Sequence, residues 1–189
     1  MQFHFHAPSE HAVNGELYDL EVHFVHTVRG SEGPNGDLAE MPGAVIGVFF
    51  DREAGGDYDN AFLDTVFAAI DSRTLTSSQR TKVALRDFLM RIDMSEYWSY
   101  DGSLTTPPCT EGLKWSVVKQ VQPISEAQLK RFTAVLADDD DFAGGNGNNR
   151  VVQPLNDRTL YFAKESVSGA TYTMASLAVA ASAIAALTF

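Results

Sequence analysis

Cysteine, basic residues and phosphate-binding glycine motifs are the features this chain has least of. Its 189 residues include one cysteine, Cys109, so a framework of internal disulfides is excluded. The 14 lysines and arginines are outnumbered by 25 aspartates and glutamates, and the net charge of -11 argues against nucleic acid or an anionic membrane surface as a partner. The sequence also has no internal repeat and no glycine-rich phosphate loop.

The chain does contain enough apolar residues for one core. Hydrophobic residues make up 44% of the sequence and aromatic residues 11%, and a chain of this length can bury a sizeable core. The acidic surplus is better explained as a solvated surface than as a specific site. These features indicate a globular domain whose function depends on individual side chains.

Histidines in the first 26 residues follow the two-residue period of β-strands. Side chains alternate between the faces of a strand, so His4 and His6 point to the same face. His23 can reach that face from a neighbouring antiparallel strand, after a turn near Asn14-Gly15. Three imidazoles with a fourth position left open are the ligand set of a catalytic, tetrahedral zinc site. The pattern therefore predicts a metal centre on a sheet.

Polar residues precede two of these histidines at matching spacing. Gln2 lies two residues before His4, and Glu21 lies two residues before His23, so each pair shares a face. Such neighbours can accept the second N–H of an imidazole and fix its tautomer. The alternative is a half-buried hairpin with ordinary histidines, which is the better explanation for any single histidine. Three histidines with matched polar partners favour the metal centre.

Three segments together resemble the α-class carbonic anhydrases. They are QFHFHAPSEHAVNGELYDLEVHFVH at 2–26, YWSYDGSLTTPPCTEGLKW at 97–115 and NNRVVQPLNDR at 148–158. The resemblance covers residues 1–162, although 27–96 and 136–147 match only loosely. It implies a mainly β fold with surface helices (α+β), built on a large central sheet that is twisted and mostly antiparallel.

For the metal, the resemblance implies three ligands and a set of supporting groups. His4, His6 and His23 would hold Zn²⁺. The supporting groups either accept a hydrogen bond from a ligand or brace a residue that does so. They are Gln2, Glu21, Asn148 through its backbone carbonyl, His11 and Tyr100.

For catalysis, the resemblance implies an orienting pair and an apolar wall. Thr105 corresponds to the threonine that accepts a hydrogen bond from zinc-bound hydroxide, and Glu10 corresponds to the carboxylate that takes the proton of that threonine. The wall would hold carbon dioxide, with one residue beside the bicarbonate site. The residues on this substrate side are Val25, Val45, Leu104, Thr106 and Trp115.

The implied activity is the reversible hydration of carbon dioxide to bicarbonate and a proton by zinc-bound hydroxide. The alternatives are a catalytically impaired binding module of the same fold and a partial gene product. The second alternative arises because Met1 directly precedes the zinc strand, so we expect the N-terminal portion of the domain to be missing. His26 does not match the family's proton shuttle. Cys109 matches a cysteine that pairs with the N-terminal region in secreted relatives, although a free thiol is nearly as good an interpretation.

Patterns in the middle of the chain predict four elements. The apolar run 44–50 is typical of a strand buried on both faces. Residues 58–70 have helical spacing of large apolar side chains, and WSVVKQV at 115–121 alternates like a strand. Ser125 and Gln128 form a capping box that predicts a helix from 126.

The last two predictions concern a loop and a tail. Residues 137–149 are rich in Asp, Gly and Asn and predict a solvated surface loop. Residues 163–189 predict a C-terminal tail that is apolar from Met174 onwards and resembles a GPI-attachment signal or a membrane tail, with an unprocessed tail as the third possibility. A secreted or cell-surface protein is the corresponding expectation. The oligomeric state is left open.

Overall fold

A computed structural model describes residues 2–27, 43–71, 83–137 and 147–164. Its strands are β1 Gln2–His6, β2 Ala12–Val13, β3 Glu16–Leu17, β4 Leu20–Thr27, β5 Gly43–Phe50, β6 Glu96–Ser103, β7 Glu111–Val118 and β8 Tyr161–Lys164. Its helices are α1 Ala61–Asp71, α2 Leu85–Leu89 and α3 Glu126–Ala137.

Six strands form one sheet in the order β1-β4-β5-β7-β6-β8. Every neighbouring pair is antiparallel except β5 and β7, which run parallel. This confirms the predicted large, twisted and mostly antiparallel sheet with few helices. β1 and β4, the first two strands in this order, carry the patterned histidines. These histidines therefore lie near one edge of the sheet.

The turn at Asn14-Gly15 exists, but it closes a different hairpin from the one expected. Both residues have positive φ, 56° and 85°, the conformation in which asparagine and glycine are favoured. The turn joins β2 to β3. These two strands form a small separate sheet and lie between β1 and β4 along the chain. β4 is nevertheless the antiparallel neighbour of β1, as the histidine pattern predicted.

One face of the sheet packs against the helices. β5 is buried on both sides, as its apolar run predicted, because Val48 and Phe50 face the helices while Val45 and Phe49 face away. α1 presents the predicted apolar stripe, with Phe62 and Phe67 buried in this layer. Phe62 stacks on Phe88 of α2 with ring centroids 4.1 Å apart. The helix side of the sheet is therefore an aromatic core that excludes water.

The helix predicted from 126 is confirmed, but its capping box is only half formed. The Ser125 hydroxyl accepts the N–H of Gln128 at 3.2 Å. The Gln128 amide does not return to Ser125. It accepts the N–H of Asn60 at 2.9 Å and donates to the carbonyl of the same residue at 3.1 Å. Gln128 therefore fastens α3 to the start of α1.

The strand predicted over 115–121 is shifted in the structure. β7 covers Glu111–Val118, so it begins four residues earlier and ends three residues earlier than predicted, and its last hydrogen bond to β6 runs from the N–H of Lys119 to the carbonyl of Glu96 at 3.0 Å. β6 and β8 were not predicted. Both carry polar residues on a half-solvated face, so neither has a continuous apolar run.

Two predictions concern parts of the chain outside the described residues. Residues 138–146, most of the expected surface loop, and residues 165–189, nearly all of the expected tail, are not described. Residues 163 and 164 belong to β8. Within the described ranges, no helix has the length and apolar character needed to cross a membrane.

Candidate metal centre

The three predicted histidine ligands converge on the face of the sheet opposite the helices. His4 and His23 are direct partners across β1 and β4. The ring centroid of His6 lies 5.0 Å from that of His4 and 4.7 Å from that of His23. One ring nitrogen from each of the three lies within 4.8 Å of the others. Strand alternation and antiparallel pairing thus produce a cluster of nitrogen donors.

His6 is oriented by the segment that follows the undescribed loop. Its Nδ1 lies 3.2 Å from the backbone carbonyl of Asn148, so Nδ1–H donates there and Nε2 presents a lone pair to the cluster. Nε2 is buried and makes no hydrogen bond, although it lies 3.3 Å from Glu10 Oε2. A buried ring nitrogen with a free lone pair, aimed at two other imidazoles, has the chemistry of a metal ligand.

Asn148 also holds β1 itself, which the resemblance did not suggest. Its side chain accepts the N–H of Ala7 at 2.9 Å and donates to the carbonyl of Phe5 at 2.9 Å. Gly147, with φ of 104°, allows this approach, because a Cβ at that position would lie 2.4 Å from the carbonyl oxygen of Ala7. The end of β1 is therefore paired with residues far along the chain.

Glu21 connects the ligand His23 to a second buried histidine. Its Oε1 lies 2.6 Å from His11 Nδ1 and 3.0 Å from His23 Nε2. Its Oε2 accepts the backbone N–H groups of Glu10 and His11 at 2.9 and 3.0 Å. Burial raises the pKa of Glu21, but the two imidazoles and their hydrogen bonds lower it well below its usual range. The carboxylate is therefore an anion beside Nε2 of His23, where it favours a proton on Nε2 and a lone pair on Nδ1.

Two of the three histidines are held in the neutral form that binds metals. Burial, with His6 nearby, lowers the pKa of His4 to about 4, against the opposing charge of Glu21. Burial lowers the pKa of His23 to about 3, although Glu21 again opposes the shift. At neutral pH both rings therefore have lone pairs available without first losing a proton.

Glu10 and Thr105 lie next to the cluster, as the resemblance predicted. Glu10 Oε1 accepts the backbone N–H of Arg150 at 2.8 Å. Burial raises the pKa of Glu10, while His6, the Arg150 hydrogen bond and a hydrogen bond from the Thr105 hydroxyl lower it in part. A Thr105 hydroxyl that donates its proton to Glu10 would leave its oxygen free to accept a hydrogen bond from another molecule.

The cluster opens into a cleft of about 320 Å³ with a largely apolar wall. The indole N–H of Trp115 donates to the carbonyl of Ser103 at 3.0 Å, which fixes the ring in the wall. Gln2 also lines the cleft, yet it makes no hydrogen bond to His4 among the described contacts. The predicted substrate-side residues all line this space, and they are Val25, Val45, Leu104, Thr106 and Trp115.

Tyr100 and His11 complete the hydrogen-bond chain behind Glu21. The Tyr100 hydroxyl lies 2.7 Å from His11 Nε2, and burial, with the Glu21 charge, raises the pKa of Tyr100 well above its usual range. The phenol therefore donates to His11, and His11 donates to Glu21. This arrangement agrees with a supporting role for His11, whose nitrogens are both occupied.

Some residues that shape the site were not predicted. Ser9 is fully buried, and its hydroxyl donates to the carbonyl of His11 at 2.7 Å while accepting the N–H of Tyr18 at 2.9 Å. It holds the turn that carries Glu10. Arg150 contributes only a backbone group, and Pro107 and Pro108 only line the cleft. A lone serine, a backbone N–H and two loop prolines have no spacing pattern that would have identified them.

The donor set fits zinc. Three imidazole nitrogens gathered on one side, and an open cleft on the other, match a catalytic site with a free coordination position. The fold and the site together define a class, that of mixed-sheet proteins with a three-histidine cluster that could hold a metal ion.

The chain belongs to the eukaryotic-type carbonic anhydrase family, whose model matches residues 1–164. A Klebsiella pneumoniae carbonic anhydrase is 36% identical over 84% of this chain and 55% of its own length. A halotolerant carbonic anhydrase from Dunaliella salina has the same fold with a TM-score of 0.67 and 32% identity, over 86% of this chain and 59% of that one. A Thermovibrio ammonificans α-carbonic anhydrase, solved with the inhibitor sulfanilamide, has a TM-score of 0.59 and 36% identity, over 84% of this chain and 60% of that one.

The chain spans about half the length of the curated relatives it matches, or less. The match over residues 1–164 establishes the family, and it confirms the resemblance drawn from the three sequence segments. The roles of the individual site residues remain predictions.

Proposed function

We propose that this protein is a zinc-dependent carbonic anhydrase that hydrates carbon dioxide reversibly to bicarbonate and a proton. The observation that carries the proposal is the cluster of His4, His6 and His23 beside a cleft with apolar residues on its wall, with a buried nitrogen of His6 that makes no hydrogen bond. A zinc ion held there supplies Lewis acidity, which makes water a nucleophile at neutral pH.

The other residues position the reactants. Glu10 holds the Thr105 proton, so the Thr105 oxygen accepts a hydrogen bond from the attacking nucleophile and directs its lone pair toward the substrate carbon. Val25, Val45 and Trp115 form a wall that suits a linear substrate without a net dipole. Bicarbonate then leaves past Thr106 at the same cleft.

The cleft is also a site for small molecules of other kinds. The Thermovibrio ammonificans relative is solved with sulfanilamide, and we expect this chain to bind an aromatic sulfonamide in the cleft when zinc is present. Secretion or attachment at the cell surface through residues 163–189 belongs to the same proposal. It rests only on the composition of that tail.

Replacing His23 with alanine tests the function directly. Loss of a ligand exceeds the roughly 10- to 100-fold cost of losing a supporting residue, so we expect His23→Ala to bind zinc more than about 100-fold less tightly and to lose carbon dioxide hydration. His26→Ala is the matched control, because His26 lies on the same strand and its Nδ1 faces the carbonyl of Phe24 at 3.0 Å rather than the cluster.

Zinc binding is measured by competition with a chelator, and hydration by stopped-flow pH change. Full activity of His23→Ala would rule the proposal out. A wild-type protein that holds zinc tightly and hydrates no carbon dioxide would instead identify a binding module with the fold of the family.

A further inference from the structure

Gly47 of β5 lies directly opposite His23 in the pairing of β4 with β5. A Cβ at this glycine would lie 2.7 Å from Oε1 of Glu21, the oxygen that contacts both His11 and His23. That distance is shorter than Cβ atoms tolerate. The Glu21 carboxylate therefore occupies the space that a side chain at position 47 would need.

The backbone gives no other reason for glycine at this position. Gly47 is not among the glycines in the left-handed region, so its backbone is accessible to other residues. On the other side, the methyl groups of Val117 would stand 3.6 and 3.8 Å from a Cβ at this position. An added methyl would therefore press on Glu21 and has no free space to move into.

Glu21 cannot yield at low cost. Its side chain has no solvent exposure, and its two oxygens contact His11, His23 and two backbone N–H groups. A shift of a few tenths of an ångström lengthens several of these contacts at once. The desolvated anion would lose partners that it cannot replace from water.

We propose that Gly47 is a positioning residue of the metal centre, required because it leaves room for the carboxylate that orients His23 and His11. This inference rests on the proposed zinc function, since the consequence of moving Glu21 is a misdirected His23. It assigns a role to a residue that touches neither the metal ligands' donor nitrogens nor the substrate cleft.

Gly47→Ala tests the proposal through zinc affinity. We expect a loss of about 10- to 100-fold, the usual cost of disturbing a group that supports a ligand. Gly43→Ala is the matched control on the same strand. Its Cβ would lie 2.8 Å from the carbonyl oxygen of His26 and 3.0 Å from Leu113 Cδ2, so it is equally crowded but remote from Glu21. We expect Gly43→Ala to lose stability and to keep the zinc affinity of the wild type.

A second variant separates positioning from general damage. Glu21→Asp withdraws the carboxylate by one methylene and makes room for the alanine methyl, so Gly47→Ala with Glu21→Asp should cost less zinc affinity than the two single changes added together. Additive losses, or equal losses in Gly47→Ala and Gly43→Ala, would overturn the proposal.

The metal-free protein provides a readout that does not depend on zinc. The proton between His11 Nδ1 and Glu21 Oε1, shared across 2.6 Å, should give a strongly deshielded NMR signal. We expect this signal to move in Gly47→Ala and to remain in Gly43→Ala. An unmoved signal contradicts the role of Gly47, whereas a wild-type protein that fails to bind zinc contradicts the proposed function and leaves this test in force.

Discussion

At the scale of single residues, the site is organised by the direction of its hydrogen bonds. Tyr100 donates to His11, His11 donates to Glu21, and the same Glu21 oxygen lies 3.0 Å from Nε2 of His23. The two bonds of His11 settle which of its ring nitrogens carries a proton, and the Glu21 carboxylate beside Nε2 of His23 favours a proton there, which leaves Nδ1 for a metal. A structure of ordinary core histidines would not need this order.

Thr105→Val is the sharpest test at this scale, because it removes a hydroxyl and keeps the shape of the side chain. Without the hydroxyl, nothing orients the nucleophile, and we expect kcat/KM for carbon dioxide hydration to fall by about 100-fold or more. Zinc affinity should stay within about threefold of the wild type, because Thr105 is not a predicted ligand and removing it leaves the imidazoles in place. Thr105→Ser retains the hydroxyl and should recover most of the rate. A Val variant with normal turnover would remove Thr105 from the mechanism.

At the scale of elements, one face of β1 and β4 packs in the core and the other face carries the candidate site. Phe3, Phe5 and Phe24 point into the helix layer, while the histidines point into the cleft. Side-chain alternation sets both faces together, because a register shift of one residue would move the phenylalanines to the cleft and the histidines to the helix layer. The histidine cluster is therefore positioned by the same strands that pack against the aromatic core behind it.

Phe62 of α1 tests that connection. Its ring lies 6.2 Å from Phe3, 6.3 Å from Phe5 and 4.1 Å from Phe88, centroid to centroid. Phe62→Ala should lower the free energy of unfolding by about 3–5 kcal/mol, since it empties a buried aromatic site. Tyr58→Ala is the control, because Tyr58 is 60% exposed. Urea unfolding monitored by fluorescence measures both, and equal small losses would show that α1 is not held by this contact.

At the scale of the whole molecule, neutral histidines are buried within an acidic protein of net charge -11. The surrounding carboxylates favour protonation, yet burial prevails and keeps His4 and His23 uncharged. The fold thus keeps two of its predicted metal ligands deprotonated at a cost in stability at low pH.

The pH dependence of metal-free stability follows from these shifts. Because the pKa values of about 4 and about 3 lie below the unfolded value of 6.5, the unfolded chain binds more protons, so stability is full above about pH 6.5 and falls as the pH drops toward 3. The slope is at most about 1.4 kcal/mol per pH unit for each histidine. The raised pKa of Glu10 acts in the opposite direction, whereas the lowered pKa of Glu21 acts in the same direction as the two histidines.

Urea midpoints between pH 7.5 and pH 4.5, measured with chelator present, check this expectation. His4→Ala should flatten the slope, since one of the two histidines with a lowered pKa is gone. A wild-type stability that rises on acidification would show that the histidines are not buried as the structure has them.

The sequence alone was enough for the histidine cluster because its cause is local. His4 and His6 share a face through strand alternation, and the run 44–50 is buried on both faces because it is continuously apolar. The helices of 61–71 and 126–137 followed from apolar spacing and a cap. β6 and β8 were missed, since their polar faces carry no such signal.

Only the tertiary structure decided which distant groups complete the site. The carbonyl of Asn148 reaches His6, which only the family resemblance had suggested, the backbone N–H of Arg150 reaches Glu10, and Gly47 leaves space beside Glu21, all from separate parts of the chain. Two of these groups are backbone atoms and the third is a missing side chain. Residue type and spacing encode which face a side chain takes, whereas contacts made by backbone atoms and by empty space exist only after strands from different segments have packed together.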